Sequence, residues 1–124
     1  MGRIIMSGFI PKLIIPSSDS TTTGIPVTIT GTGNPHDAYV TINNTQYTTA
    51  NTLTVNKGDI ISFSVYGKSV DYLGIVTIDG EQMARANNGN TETYSWTVPD
   101  NITSISIHIS ASSNRNGTIT VTTT

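Results

Sequence analysis

Any acid–base or nucleophilic chemistry in this chain would run through His36 and His108, because there is no cysteine. A hydrolytic triad needs a serine nucleophile, a histidine base and a carboxylate that orients the base. His108 lies between Ile107 and Ile109, on the same side of an alternating run as Ser106 and Ser110, which is a solvent-side position. His36 sits in a Pro35-His36-Asp37 loop. Serine is so common here that a serine near either histidine carries no information. The sequence therefore assigns no catalytic residue, and the expectation is a protein that is not an enzyme. Asp37, Asp59, Asp71, Asp79 and Asp100 are isolated, without the Asp-x-Asp-x-Asp spacing that holds calcium. Two histidines without flanking ligands do not make a zinc site. No metal or cofactor is expected.

The remaining chemistry is aromatic. Tyr39, Tyr47, Tyr66, Tyr72, Tyr94 and Trp96 could offer flat ring faces to sugars. Tyr94 and Trp96 share a parity with Val98 and read as core or interface. Tyr72 falls in a loop and is the candidate glycan contact. Asn43-Asn44-Thr45, Asn101-Ile102-Thr103 and Asn116-Gly117-Thr118 match the glycosylation pattern. In a chain this rich in Asn and Thr they read as turn chemistry.

The frame that must position these residues is short-stranded. The 124 residues suit one domain with a tail. Charged residues are only 11%, and Thr, Ile and Val favour strands over helices. Asp59-Ile60-Ile61-Ser62-Phe63-Ser64-Val65-Tyr66 organises the rest: Ile61, Phe63 and Val65 fall on one side, and Ser62, Ser64 and Tyr66 on the other. The same alternation marks 25–30, 38–42, 74–78, 93–98 and 105–111. Shorter runs lie at 46–49, 53–55 and 119–121. Asp79-Gly80 between two such runs is a hairpin signal, and Glu81 to Ala86 should return antiparallel. Asn43-Asn44 offers a second tight turn. Roughly nine short strands and no helix predict an all-β, antiparallel immunoglobulin-like β-sandwich with an extended N-terminal arm. A jelly roll or small barrel is the alternative.

Residues 1–24 read as an apolar arm and polar linker, and residues 25–124 as the sandwich domain. Ile4, Ile5, Met6, Phe9, Ile10, Leu13, Ile14 and Ile15 make the arm apolar. Pro11 and Pro16 bias it to extended backbone. The apolar runs fall far short of the ~20 residues that span a bilayer, and no clean secretory signal is visible. The expectation is a chain that reaches its destination without Sec export and without a membrane. An apolar arm beyond a polar linker must be covered, by its own domain or by a neighbour. The net charge of −2 and six scattered Lys and Arg leave no basic stripe for nucleic acid.

Two segments carry a resemblance. The opening, Met1-Gly2-Arg3-Ile4-Ile5-Met6-Ser7-Gly8-Phe9-Ile10-Pro11-Lys12-Leu13, resembles the start shared by many virion proteins of tailed bacteriophages and prophages of anaerobic Gram-positive bacteria. The remainder resembles an immunoglobulin-like module of the same gene pool. Its marks are Tyr39-Val40-Thr41-Ile42-Asn43 with Tyr47, Val55-Asn56-Lys57-Gly58-Asp59 running on to Gly67, and Val76-Thr77-Ile78-Asp79-Gly80. Tyr94-Ser95-Trp96-Thr97-Val98-Pro99, Ile102 to Ile107 and Gly117-Thr118-Ile119-Thr120-Val121 complete them. The resemblance implies a structural component of the particle surface, made in the bacterial host cytoplasm, with no catalytic residues to carry over. The leading expectation is a capsid decoration protein that docks through its arm on other virion proteins or on copies of itself as a homo-oligomer. A tail or baseplate adhesion module that binds host glycan is the alternative.

Overall fold

The computed structural model describes residues 24–124. The arm residues Ile4, Ile5, Met6, Phe9, Ile10, Leu13, Ile14 and Ile15 lie outside the described residues. Ten strands follow in order: β1 (Ile25–Thr32), β2 (Ala38–Ile42), β3 (Thr45–Tyr47), β4 (Thr49–Val55), β5 (Ile60–Gly67), β6 (Gly74–Ile78), β7 (Glu81–Ala86), β8 (Asn90–Thr97), β9 (Ile105–Ala111) and β10 (Gly117–Thr123). They form a six-stranded sheet, β4-β1-β9-β10-β6-β7, and a four-stranded sheet, β3-β2-β5-β8. No helix occurs among the described residues.

The alternation read from the sequence sets the interior. Val27, Ile29, Val76, Ile105, Ile107, Ile109, Ile119 and Val121 point inward from the larger sheet. Val40, Ile42, Ile61, Phe63 and Val65 meet them from the smaller one. Phe63 is the largest fully buried side chain, and its ring centroid lies 6.2 Å from that of Trp96, tilted by 42°. Each fully buried side chain of this size contributes about 1.5–3 kcal/mol of gross stabilisation. Tyr94 and Trp96 are half-buried against this core, as their parity with Val98 predicts.

Three features differ from the sequence expectation. Two pairings are parallel, β1 with β9 and β10 with β6, so the larger sheet is mixed. The partners are far apart in the chain, and local patterning carries no information on such pairings. Gly31-Thr32, beyond the alternating run 25–30, continues β1 past a bulge and pairs with Ile109 and Ser110. Ser64, on the wet side by parity, is buried. It sits in register between Tyr39 and Thr93 on the central strand, and its hydroxyl meets that of Thr93 at 2.8 Å.

The register sorts the connections onto two poles. The chain leads into β1 beside the end of β4. The turns Asn43–Asn44, Lys57–Gly58 and Asp79–Gly80, the segment 98–104 and Thr124 share that pole. Asn43 and Asn44 both have positive φ, as do Asp79 and Gly80, the geometry of tight hairpins. The loops 33–37, 68–73, 87–89 and 112–116 gather at the opposite, distal pole.

Candidate functional site

The distal pole holds a cluster of polar and charged side chains. Its base is the β1–β2 loop. Asn34 Oδ1 accepts the amides of His36 and Asp37, both at 2.9 Å, and its backbone carbonyl accepts those of Asp37 and Ala38. This is the side-chain-to-backbone turn that Asn favours. Asn34 Nδ2 then donates to Asp37 Oδ2 at 2.6 Å. Asp37 is 4% exposed.

The β9–β10 hairpin brings the counter-charge. Arg115 Nε stands 3.3 Å from Asp37 Oδ1. The approach is off the hydrogen-bonding direction, so Oδ1 stays buried without a donor. Arg115 has a φ of 62°, a left-handed conformation that a long side chain takes at a cost of about 1–2 kcal/mol. Its guanidinium also lies over the Tyr66 ring, 4.6 Å from the centroid, a cation–π contact. The pair and the ring hold the strained residue in place. The hairpin comes this close because Gly117 has no side chain: a Cβ there would collide with the Asp37 carbonyl oxygen. That same carbonyl accepts the Tyr66 amide at 2.7 Å.

Asn34, His36, Asp37, Ser112, Ser113 and Arg115 line an open depression of about 350 Å³ between these two loops. Tyr72 is on the same pole, in a tight turn where Ser69 and Tyr72 exchange backbone hydrogen bonds. Tyr72 is 37% exposed, and the Lys68 ammonium lies 6.0 Å from its ring centroid. Val70, beside it, is the most exposed large hydrophobic residue of the domain. Gly89 approaches the Tyr66 hydroxyl from the β7–β8 loop.

The two histidines lie on different parts of the domain. His108 Nδ1 pairs with the Thr30 hydroxyl at 3.0 Å on the outer face of the larger sheet, where no carboxylate orients it. His36 lines the distal depression. Among the described residues no three His, Asp or Glu side chains converge as metal ligands. No helix of the described residues is long and apolar enough to cross a membrane.

Sequence reasoning placed Tyr72 in its loop and treated Asp37 as an isolated carboxylate. It missed the Asp37–Arg115–Tyr66 cluster, whose members come from three loops and strands with no local signal joining them. The Asn34-to-Asp37 spacing was the one readable hint, since Asn preceding Asp by three residues suits a self-bonded turn.

Comparison with known proteins finds no matching family model, no similar curated protein and no similar solved structure.

Proposed function

We propose that this chain is a non-enzymatic structural protein of a bacteriophage particle, a capsid decoration protein that docks through its N-terminal arm and displays an immunoglobulin-like domain. One observation carries the docking role. The interior is filled by side chains from Ile25 to Val121, and among the described residues only Ile60, Val70 and Tyr72 are large hydrophobics left exposed. Ile60 is at the opposite pole from the other two. Large exposed hydrophobics on the domain are thus few and scattered, which favours cover of Ile4, Ile5, Met6, Phe9, Ile10, Leu13, Ile14 and Ile15 by a partner over cover by their own domain. Other virion proteins or further copies of the chain supply that cover. Burial of each such side chain yields about 1.5–3 kcal/mol before ordering costs, ample for a stable attachment.

The experiment is deletion of residues 2–16, with particle occupancy and thermal melting measured together. Occupancy is lost and melting is unchanged if the arm docks on a partner. Retained occupancy rejects the docking role, and a collapse of melting assigns the arm to its own domain.

A second reading, a tail or baseplate adhesion module binding host-surface glycan, is favoured by the exposed Tyr72 ring at the pole opposite the arm's attachment. Loss of glycan-array binding in Tyr72→Ala is its test.

A further inference from the structure

We propose that the depression between the 33–37 and 112–116 loops is a binding site for a neutral, hydroxyl-rich ligand, a saccharide, with Asp37 and Arg115 as its polar anchors. The site is separate from the Tyr72 turn, and the proposal does not depend on the docking role of the arm.

Four observations support it. The depression is open to solvent and has a volume of about 350 Å³, room for a small polar ligand. Every residue that lines it carries a hydrogen-bonding side chain. Asp37 is 4% exposed, and its Oδ1 has no donor. Buried acceptors are nearly always satisfied, so Oδ1, which has only the off-axis Arg115 at 3.3 Å, retains capacity for a donor from solvent or a ligand. Finally, Arg115 has a left-handed backbone and a side chain 48% exposed, so the guanidinium is reachable from solvent. Backbone strain of this kind gathers at ligand clamps.

The charges select the ligand. An anion such as phosphate would meet the Asp37 carboxylate beside the only guanidinium of the site. A metal ion would meet that guanidinium beside a single carboxylate. A sugar avoids both conflicts, because one hydroxyl donates to a carboxylate while its neighbour accepts from an arginine, and the pair stays neutral overall. In the proposed complex the half-exposed Arg115 side chain turns aside to meet one hydroxyl, and its neighbour reaches the buried Oδ1. Asn34, Ser113 and His36 add donors and acceptors around the rim.

The test is a ¹⁵N-labelled full-length chain titrated with glucose, galactose, rhamnose and N-acetylglucosamine at millimolar concentrations, with inorganic phosphate and calcium in parallel. An array of bacterial surface polysaccharides is probed with the same protein. The expected result is that at least one saccharide shifts the amides of 34–37 and 112–116, whereas phosphate and calcium do not. Ser113→Trp, which fills the depression from its exposed rim, abolishes the shifts without lowering the melting temperature. Asp37→Asn weakens binding by about tenfold or more, the loss of one hydrogen bond to a charged acceptor. The proposal is overturned if no saccharide on the array or in the titration reaches these amides, if phosphate or calcium binds there instead, or if Ser113→Trp binds like the wild type. Glycan binding that needs Tyr72 but not Ser113 or Asp37 also overturns it, and leaves the adhesion reading standing.

Discussion

Arg115 and Asp37 belong to the last and first interstrand loops, yet Arg115 Nε stands 3.3 Å from Asp37 Oδ1. The contact closes the distal pole across the interior, between one loop that follows β1 and another that precedes β10. It joins a buried carboxylate to a half-exposed guanidinium, and the asymmetry decides what each residue is worth. The carboxylate has been taken out of water and depends on its partners. The guanidinium keeps much of its hydration.

Asp37→Ala is therefore expected to destabilise the domain by about 1–3 kcal/mol, because Asn34 Nδ2 loses its acceptor and Arg115 its counter-charge. The coupling between Asp37 and Arg115, measured by a double-mutant cycle in urea, should not exceed about 1 kcal/mol, since the exposed side of the pair is screened by solvent. A coupling several times larger would mean that the guanidinium is effectively desolvated.

The left-handed backbone at Arg115 gives a separate forecast. Arg115→Ala and Arg115→Gly both remove the ion pair and the contact with Tyr66. Only Gly also relieves the strain at a φ of 62°. Arg115→Gly should thus be more stable than Arg115→Ala by about 1 kcal/mol. By thermal melting that is about 4–8 °C for a domain of this size. Equal melting temperatures would show that the backbone at this turn relaxes once the guanidinium is gone.

The strand content and the interior were legible because both follow from parity. Ile61, Phe63 and Val65 point inward for the same reason that Ser62 faces out: a pleated strand alternates. Asp79-Gly80 announced its hairpin, since its residues take positive φ without a steric penalty that the turn cannot bear. The parallel pairing of Val27 with Ile105 had no such signature. It is decided by how whole strands stack, and either neighbour would satisfy the same alternation. The distal cluster was hidden for the same reason. Asp37, Tyr66 and Arg115 meet only once β2, β5 and β10 are in register, and each looks ordinary in its own stretch of chain.

Gly117→Ala should be among the most damaging small substitutions at the distal pole. The added Cβ meets the Asp37 carbonyl, a backbone atom that also accepts the Tyr66 amide and so cannot simply swing away. Overpacking of this kind costs about 1–3 kcal/mol. Gly58, where a Cβ would meet nothing, has a φ of 86° and carries only the backbone penalty. Urea midpoints of Gly117→Ala and Gly58→Ala separate the two effects. A smaller loss at Gly117 would mean that the two loops can part without unfolding the sheets.

Phe63→Ala removes the largest buried side chain and the tilted contact with Trp96. The expected loss is about 3–5 kcal/mol, a large share of the stability of a domain this small. Trp96 is the only tryptophan, so its fluorescence reports the cavity directly. An unchanged emission maximum together with a loss under about 1 kcal/mol would contradict the packing described for the core.

At the opposite pole, Asp79 makes stability depend on pH. The Thr123 hydroxyl donates to Asp79 Oδ2 at 2.7 Å, and the Thr123 amide donates to Oδ1 at 2.8 Å. Both bonds favour the ionised carboxyl and hold its pKa below the ordinary value, against a small opposing effect of burial. A carboxyl with a depressed folded pKa stabilises the folded state fully above its unfolded value of about 3.9, and the contribution disappears as pH falls through the lower folded value. Asp79→Asn keeps the left-handed turn, because Asn tolerates that backbone, but removes the titrating group. The gap in melting temperature between wild type and Asp79→Asn should therefore be constant at neutral pH and close as the pH is lowered below about 4. The gap is small, since Asp79 is exposed to solvent. Thr123→Val, which removes only the hydroxyl donor, should reduce the gap by part and leave the amide's share in place. A gap that persists unchanged into acid would mean that Thr123 binds the protonated carboxyl as well as the carboxylate, and that this strand end is held by the turn alone.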